Sequence, residues 1–126
     1  MAEGITPSRP ALTPEQVAGL RVAFAEEVTA RLGPLRDAAS ELSDTGDVSA
    51  ARVVMAHAHT LASSAVILGE ELAALHARRC AQTLQPYLDD GVDPVPADAA
   101  RAAAAEAATL GVLLGPWLLG TAARAD

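Results

Sequence analysis

Lysine is missing from this chain, so its nine fixed side-chain cations are all arginines, set against sixteen carboxylates for a formal net charge of −7. An acidic domain without a basic stripe has little with which to neutralise a phosphate backbone, which argues against nucleic acid as a partner. The same deficit argues against an anionic membrane surface. Aromatics are nearly absent, one each of Trp, Tyr and Phe, and with them goes much of the composition that favours strands. The single cysteine, Cys80, has no internal partner for a disulfide, and no CxxC or zinc-finger spacing occurs. The longest apolar run, Leu110 to Leu119, contains glycine and proline and falls well short of the ~20 residues that a membrane span needs. The first residues show no basic segment leading into an apolar stretch, so no secretory signal is expected and a soluble cytoplasmic protein is the default.

What is present is alanine, which dominates a hydrophobic content of 51%. Alanine is the best helix former, so the composition predicts an all-α protein. A chain of 126 residues is long enough for one domain with one sizeable core. Residues 1–11 hold two prolines and a glycine without any hydrophobic period, which predicts a loose or disordered tail and leaves 12–126 as the folded unit.

The rest of the chain divides at its turn signals. Thr13-Pro14-Glu15-Gln16 reads as a helix start, with Thr13 as N-cap, proline at the first helical position and Gln16 completing a capping box. Val17, Leu20, Phe24, Val28, Leu32 and Leu35 then recur at steps of three and four, until Gly33-Pro34 predicts a kink or a short second piece ending near Leu42. Residues 43–47 read as a turn, with Asp47 or Ser49 capping a second helix that Gly69 closes. Glu70-Glu71 open a third helix, ending or kinking at Pro86, with Leu72, Leu75, Cys80 and Leu84 as its apolar members. A loop containing two further prolines, Pro94 and Pro96, precedes a last helix from about Ala97, which Gly115-Pro116 breaks before a terminal apolar turn at Trp117, Leu118 and Leu119. Four amphipathic helices joined by short loops predict an antiparallel four-helix bundle.

The chemistry concentrates in residues 52–72. At about 100° per residue, with Leu61 as reference, Ala50, Val54, His57, Ala58, Ser64, Ala65 and Leu68 lie within about 60° of it, which makes this the face to bury. His59 lies about 160° away, among Arg52, Met55, Ser63 and Val66. Period alone therefore turns His57 inward, toward a hydrogen bond with a neighbouring helix, and His59 outward. An outward histidine ringed by small and apolar residues predicts a docking surface. A metal centre is not expected: His57 and His59 stand about 200° apart on a helix and cannot share one ion, and His57 with His76 is an incomplete set. Cys80 reads as a small core residue, and the Glu26-Glu27 and Glu70-Glu71 pairs as solvated helix faces.

Ala58-His59-Thr60-Leu61, followed by Ser64-Ala65, Leu68-Gly69 and Leu72, resembles the signature of the histidine phosphotransfer (HPt) domains of two-component phosphorelays. The order Leu20, Phe24, Glu26, Glu27, Leu32 and Leu35 is similar to that family's first helix. The resemblance covers about residues 17–120 and implies an HPt-like form of the bundle already expected. It also implies that His59 is a phospho-acceptor, a phosphotransfer intermediate rather than a conventional enzyme, exchanging a phosphoryl group with a response-regulator receiver domain or a histidine kinase. No intrinsic cofactor is implied, since the partner receiver brings the Mg²⁺. Arg52, Met55, Ala56, Ala62, Ser63, Val66 and Ile67 would then form the docking face.

The sequence departs from that pattern where Ala62 stands for the usual lysine and Ser63 for the usual glycine. Arg52 on the same helix, or Arg78 or Arg79 on the next, would have to replace the lost cation. The acidic residue that some members place on the third helix would fall near Ala81. Two other readings follow from these residues. One is an HPt-like protein that binds and regulates a receiver or kinase without being phosphorylated, and the other is a structural or oligomerising bundle.

Overall fold

The computed structural model describes residues 11–118. Four helices, α1 (Pro14–Thr45), α2 (Val48–Ile67), α3 (Glu71–Asp89) and α4 (Ala97–Leu114), are followed by a single 3₁₀ turn, Gly115–Trp117. The described residues contain no strand. Each helix packs on its two neighbours in a closed ring, α1 on α2, α2 on α3, α3 on α4 and α4 on α1. The direction of the helices follows from what meets at each end. Gly46, between α1 and α2, accepts a hydrogen bond from the Val95 N–H of the α3–α4 loop at 2.9 Å, so those two connections share one end. At the other end Leu68 lines a hollow with Leu20 and Phe24, and Trp117 stacks edge-on against Phe24 with ring centroids 4.7 Å apart. The helices therefore alternate up and down. Arg21 caps the same indole, 4.6 Å from its centroid, adding a cation–π contact that holds the chain after α4 to the start of α1.

Local sequence accounts for the helix ends. Thr13 and Gln16 form the reciprocal capping box, and Asp47 accepts the Ser49 N–H to start α2. Gly46 and Gly69 take the left-handed conformation at the following turns, with φ of 70° and 74°. The two internal prolines do not behave as expected. α1 runs unbroken through Pro34 to Thr45, and α3 runs through Pro86 to Asp89. In each case the proline and the residue four before it, Ala30 or Gln82, are exposed, so the carbonyl left without its amide partner faces water. The buried row of Leu32, Leu35, Ala39 and Leu42 stays in phase across Pro34, and burying it outweighs one lost hydrogen bond.

Two further expectations about inward faces are corrected, and the face of α3 is assigned. Val17 is exposed because α1, at 32 residues, outruns the 20-residue α2 beside it, so its first turns overhang the bundle end. Leu72 is exposed, and the inward face of α3 is Ala73, Ala74, Ala77, Cys80, Ala81 and Leu84. On α2 the buried row is Ala50, Ala51, Val54, Ala58, Leu61, Ala62 and Ala65, centred about 40° from Leu61 toward α3. Small residues on both sides let α2 and α3 approach closely, which draws Ala51 and Ala62 inside. The same rotation leaves His57, Ser64 and Leu68 half-buried on the α1 side. Residues 1–10 of the expected tail, and Leu119 of the expected terminal turn, lie outside the described residues.

The glycines at 46 and 69 provide a matched test. A Cβ at Gly46 would lie 2.7 Å from the Val95 carbonyl oxygen, whereas one at Gly69 meets nothing within 4 Å. Gly69→Ala should therefore cost only the left-handed backbone preference, roughly 1–2 kcal/mol. Gly46→Ala should cost clearly more, because a backbone carbonyl cannot swing aside. Urea unfolding of the two variants measures the difference, and equal costs would show that the Val95 contact does not constrain the turn.

Candidate functional site

α2 places His59 at the rim of an open cleft against α3. The cleft is lined by His59, Ala62, Ser63 and Val66 from α2 and by Arg78 and Gln82 from α3, around about 520 Å³ of space continuous with solvent. An open trough of this kind offers no chamber that would keep water from a small substrate, so a reactant at His59 must bring its own walls. His59 is exposed, and its ring has no hydrogen-bond partner among the described residues. Its carbonyl accepts the Ser63 hydroxyl at 3.2 Å. That bond folds the serine side chain back along its own helix, so the residue standing for glycine adds little bulk to the approach.

The arginines flanking His59 divide by face. Arg78 lines the cleft opposite His59, and Gln82, one turn further along α3, lies beside it. Arg79 is exposed but does not line the cleft. Arg52 is exposed two turns before His59 on α2. Gln82 had not been singled out from sequence; its spacing of four from Arg78 is the signal that could have found it.

The expected docking face is only partly continuous. Ser63 and Val66 share the cleft with His59, and Arg52 and Ala56 are exposed beside it. Met55 is half-buried and packs on the core. Ala62 is not on the outer surface: at 6% exposure it is buried between α2 and α3 and forms the wall of the cleft. Ile67 turns the other way and lines the hollow between α2 and α1 with Leu20, Phe24 and Leu68. Ala81 is buried and, as expected, supplies no carboxylate.

The remaining titratable groups lie away from the cleft. His57 is half-buried, with its Nδ1 accepting from Arg31 Nη1 at 3.1 Å. Arg31 is in turn paired with Glu27 one turn back on α1. Because a guanidinium only donates, His57 is neutral with its proton on Nε2. Burial, followed by the Arg31 charge, pushes its pKa below the ordinary value. Across the bundle His76 Nδ1 meets Glu106 Oε1 at 2.6 Å, joining α3 to α4. The Cys80 thiol donates to the Ala103 carbonyl at 3.4 Å. Burial, with a lesser contribution from Glu106, pushes that thiol up to about 12, which makes it an inert core residue. Among the described residues no group of three or more His, Cys, Asp or Glu side chains is placed to hold a metal ion. Nor is any helix among them long and apolar enough to cross a membrane.

No family model, no curated protein and no solved structure matches this chain.

The His57 environment sets a pH dependence whose sign can be worked out. A histidine held neutral in the folded state binds fewer protons there than in the unfolded chain, so its contribution is complete above the ordinary histidine pKa of ~6.5. That contribution is lost as pH falls through the lowered folded value. His57→Gln keeps an acceptor for Arg31 and removes the titration. From about pH 7 to about pH 5, urea unfolding should show wild type losing stability relative to this variant, with a constant difference above ~7. A wild type that gains on the variant in acid would mean that the folded state holds an imidazolium at this position.

Proposed function

We propose that this protein is a histidine phosphotransfer module in which His59 accepts a phosphoryl group from a receiver aspartate or a kinase and passes it to a receiver. The observation that supports this reading is the exposed His59 on the rim of an open cleft, facing Arg78 and Gln82 across the α2–α3 seam. A neutral imidazole is nucleophilic near pH 7. In transfer from a receiver its nitrogen attacks phosphorus, the bond from phosphorus to the aspartyl oxygen breaks, and the carboxylate leaves. The partner's walls would close the trough, and the Mg²⁺ it brings would neutralise part of the phosphoryl charge. Arg78 supplies a cation from the opposite wall, and the Gln82 amide supplies N–H donors. The charge that the resemblance places on the histidine's own helix, at the position of Ala62, is thereby moved to α3.

The burial of Ala62 also favours a second reading. With no cation within one turn of His59 on α2, the same surface would serve a protein that binds a receiver or kinase without being phosphorylated. The exposed Val66, Ile67 and Leu72 suit either form of docking, and sedimentation at several concentrations would disclose a self-association seam.

The test is phosphotransfer from a phosphorylated receiver. The expected result is an acid-labile, base-stable label that His59→Gln abolishes and His57→Gln leaves in place. Arg78→Ala should slow transfer about tenfold, equivalent to about 1.4 kcal/mol of transition-state stabilisation, while Arg79→Ala should leave it unchanged. Receiver binding without any label would favour the binding-only reading.

A further inference from the structure

The three histidines of this chain are held in three different ways, and the difference decides which ring nitrogen is free to react. At His57 the Arg31 guanidinium occupies the Nδ1 lone pair, so Nε2 carries the proton and neither nitrogen is a nucleophile. At His59 nothing among the described residues orients the ring or selects its tautomer. At His76 the partner is a carboxylate, Glu106, with Oε1 2.6 Å from Nδ1. An ionised carboxylate only accepts, so in the neutral form of the ring the proton sits on Nδ1 and the lone pair on Nε2. Nε2 has no hydrogen-bond partner among the described residues.

From this geometry we infer that His76 is a second phosphoryl-accepting histidine, preset by Glu106, which takes a phosphoryl group on Nε2 from a small phosphodonor without help from a partner protein. The ring is anchored at Nδ1 and part-exposed, with 22% of its side-chain surface open to solvent against 24% for Glu106. The carboxylate contributes twice. It fixes the tautomer and the ring angle, as a carboxylate does behind a catalytic imidazole. It also faces the positive charge that grows on the ring as Nε2 forms its bond to phosphorus. Arg79 lies three residues on, along the same side of α3. It is exposed and has no side-chain partner among the described residues, so it is free to meet the phosphoryl oxygens. This gives the arginine that does not line the His59 cleft a place at the other histidine.

The step balances with a phosphoramidate as donor. The Nε2 lone pair attacks phosphorus, the donor's phosphorus–nitrogen bond breaks, and ammonia leaves carrying the donor's own protons. The ring remains protonated at Nδ1 as a phosphoimidazolium paired with the Glu106 carboxylate. No oxidant, reductant or metal is required. This inference stands apart from the role proposed for His59, which depends on a docked protein.

The experiment incubates the full-length protein with phosphoramidate alone and maps the product on the wild type by tandem mass spectrometry and ³¹P NMR, so that the answer does not depend on a variant folding. The expected product is phosphate on His76 at Nε2, formed at the wild-type rate in His59→Gln and absent in His76→Gln. Glu106→Gln retains a hydrogen-bond acceptor but not the charge and should slow labelling about tenfold. Glu106→Ala should also scramble the label between Nε2 and Nδ1, a change that a merely structural contact would not produce; thermal melts confirm that each variant is folded. Label confined to His59, an unlabelled wild type, or an unchanged rate and isomer in the Glu106 variants would overturn the inference. Failure here would leave transfer from a receiver to His59 untouched, and the reverse also holds.

Discussion

The close approach of alanine-lined helices is the constraint on which the rest of this structure depends. Ala51, Ala58, Ala62 and Ala65 on α2 face an α3 whose inward residues include Ala73, Ala74, Ala77 and Ala81, and α4 continues the pattern with Ala99, Ala100, Ala103 and Ala107. Small side chains allow such helices to pack tightly but bury little apolar area per residue. The larger payload comes from α1, with Phe24, Val28, Leu32, Leu35 and Leu42, and from one or two leucines on each of the other helices, Leu61, Leu84, Leu110 and Leu114. The division of labour is uneven: one helix supplies bulk and three supply proximity.

That arrangement positions the chemistry. Drawing α2 toward α3 buries Ala62 and brings His59 to the edge of the seam, within a cleft whose far wall carries Arg78 and Gln82. The same rotation moves His57 to the α1 side, where Arg31 meets it. On the opposite edge of α3, His76 reaches Glu106 of α4. Three histidines on neighbouring helices thus meet a cleft, a guanidinium and a carboxylate. Their chemical differences arise from those surroundings, since the side chains are identical.

Much of the fold was legible in advance. The all-helical class, the four helices, the Thr13 capping box, a cap for α2 at Asp47 or Ser49 and the break at Gly115-Pro116 all follow from local signals whose range is a turn or less. The outward direction of His59 and the hydrogen bond of His57 to a neighbouring helix were also legible, because they depend on helical period. The prolines were misjudged for a physical reason: Pro34 and Pro86 are tolerated where the orphaned carbonyl faces water and the buried row stays in register, and exposure of that kind is a property of the assembled bundle. The inward face of α3 is not legible in the sequence because alanine gives a weak period, and the larger Leu72 sits on an exposed side.

The sequence by itself determined what the backbone does over distances of about one turn: where helices start, where glycine must bend the chain, and which side of α2 holds which histidine. Tertiary structure alone decided which residues meet across helices, because those contacts depend on interhelical spacing and on rotations of tens of degrees that no single helix specifies. Arg78 rather than Arg79 opposite His59, Ala62 inside rather than outside, and Glu106 thirty residues along the chain from His76 are all outcomes of that packing.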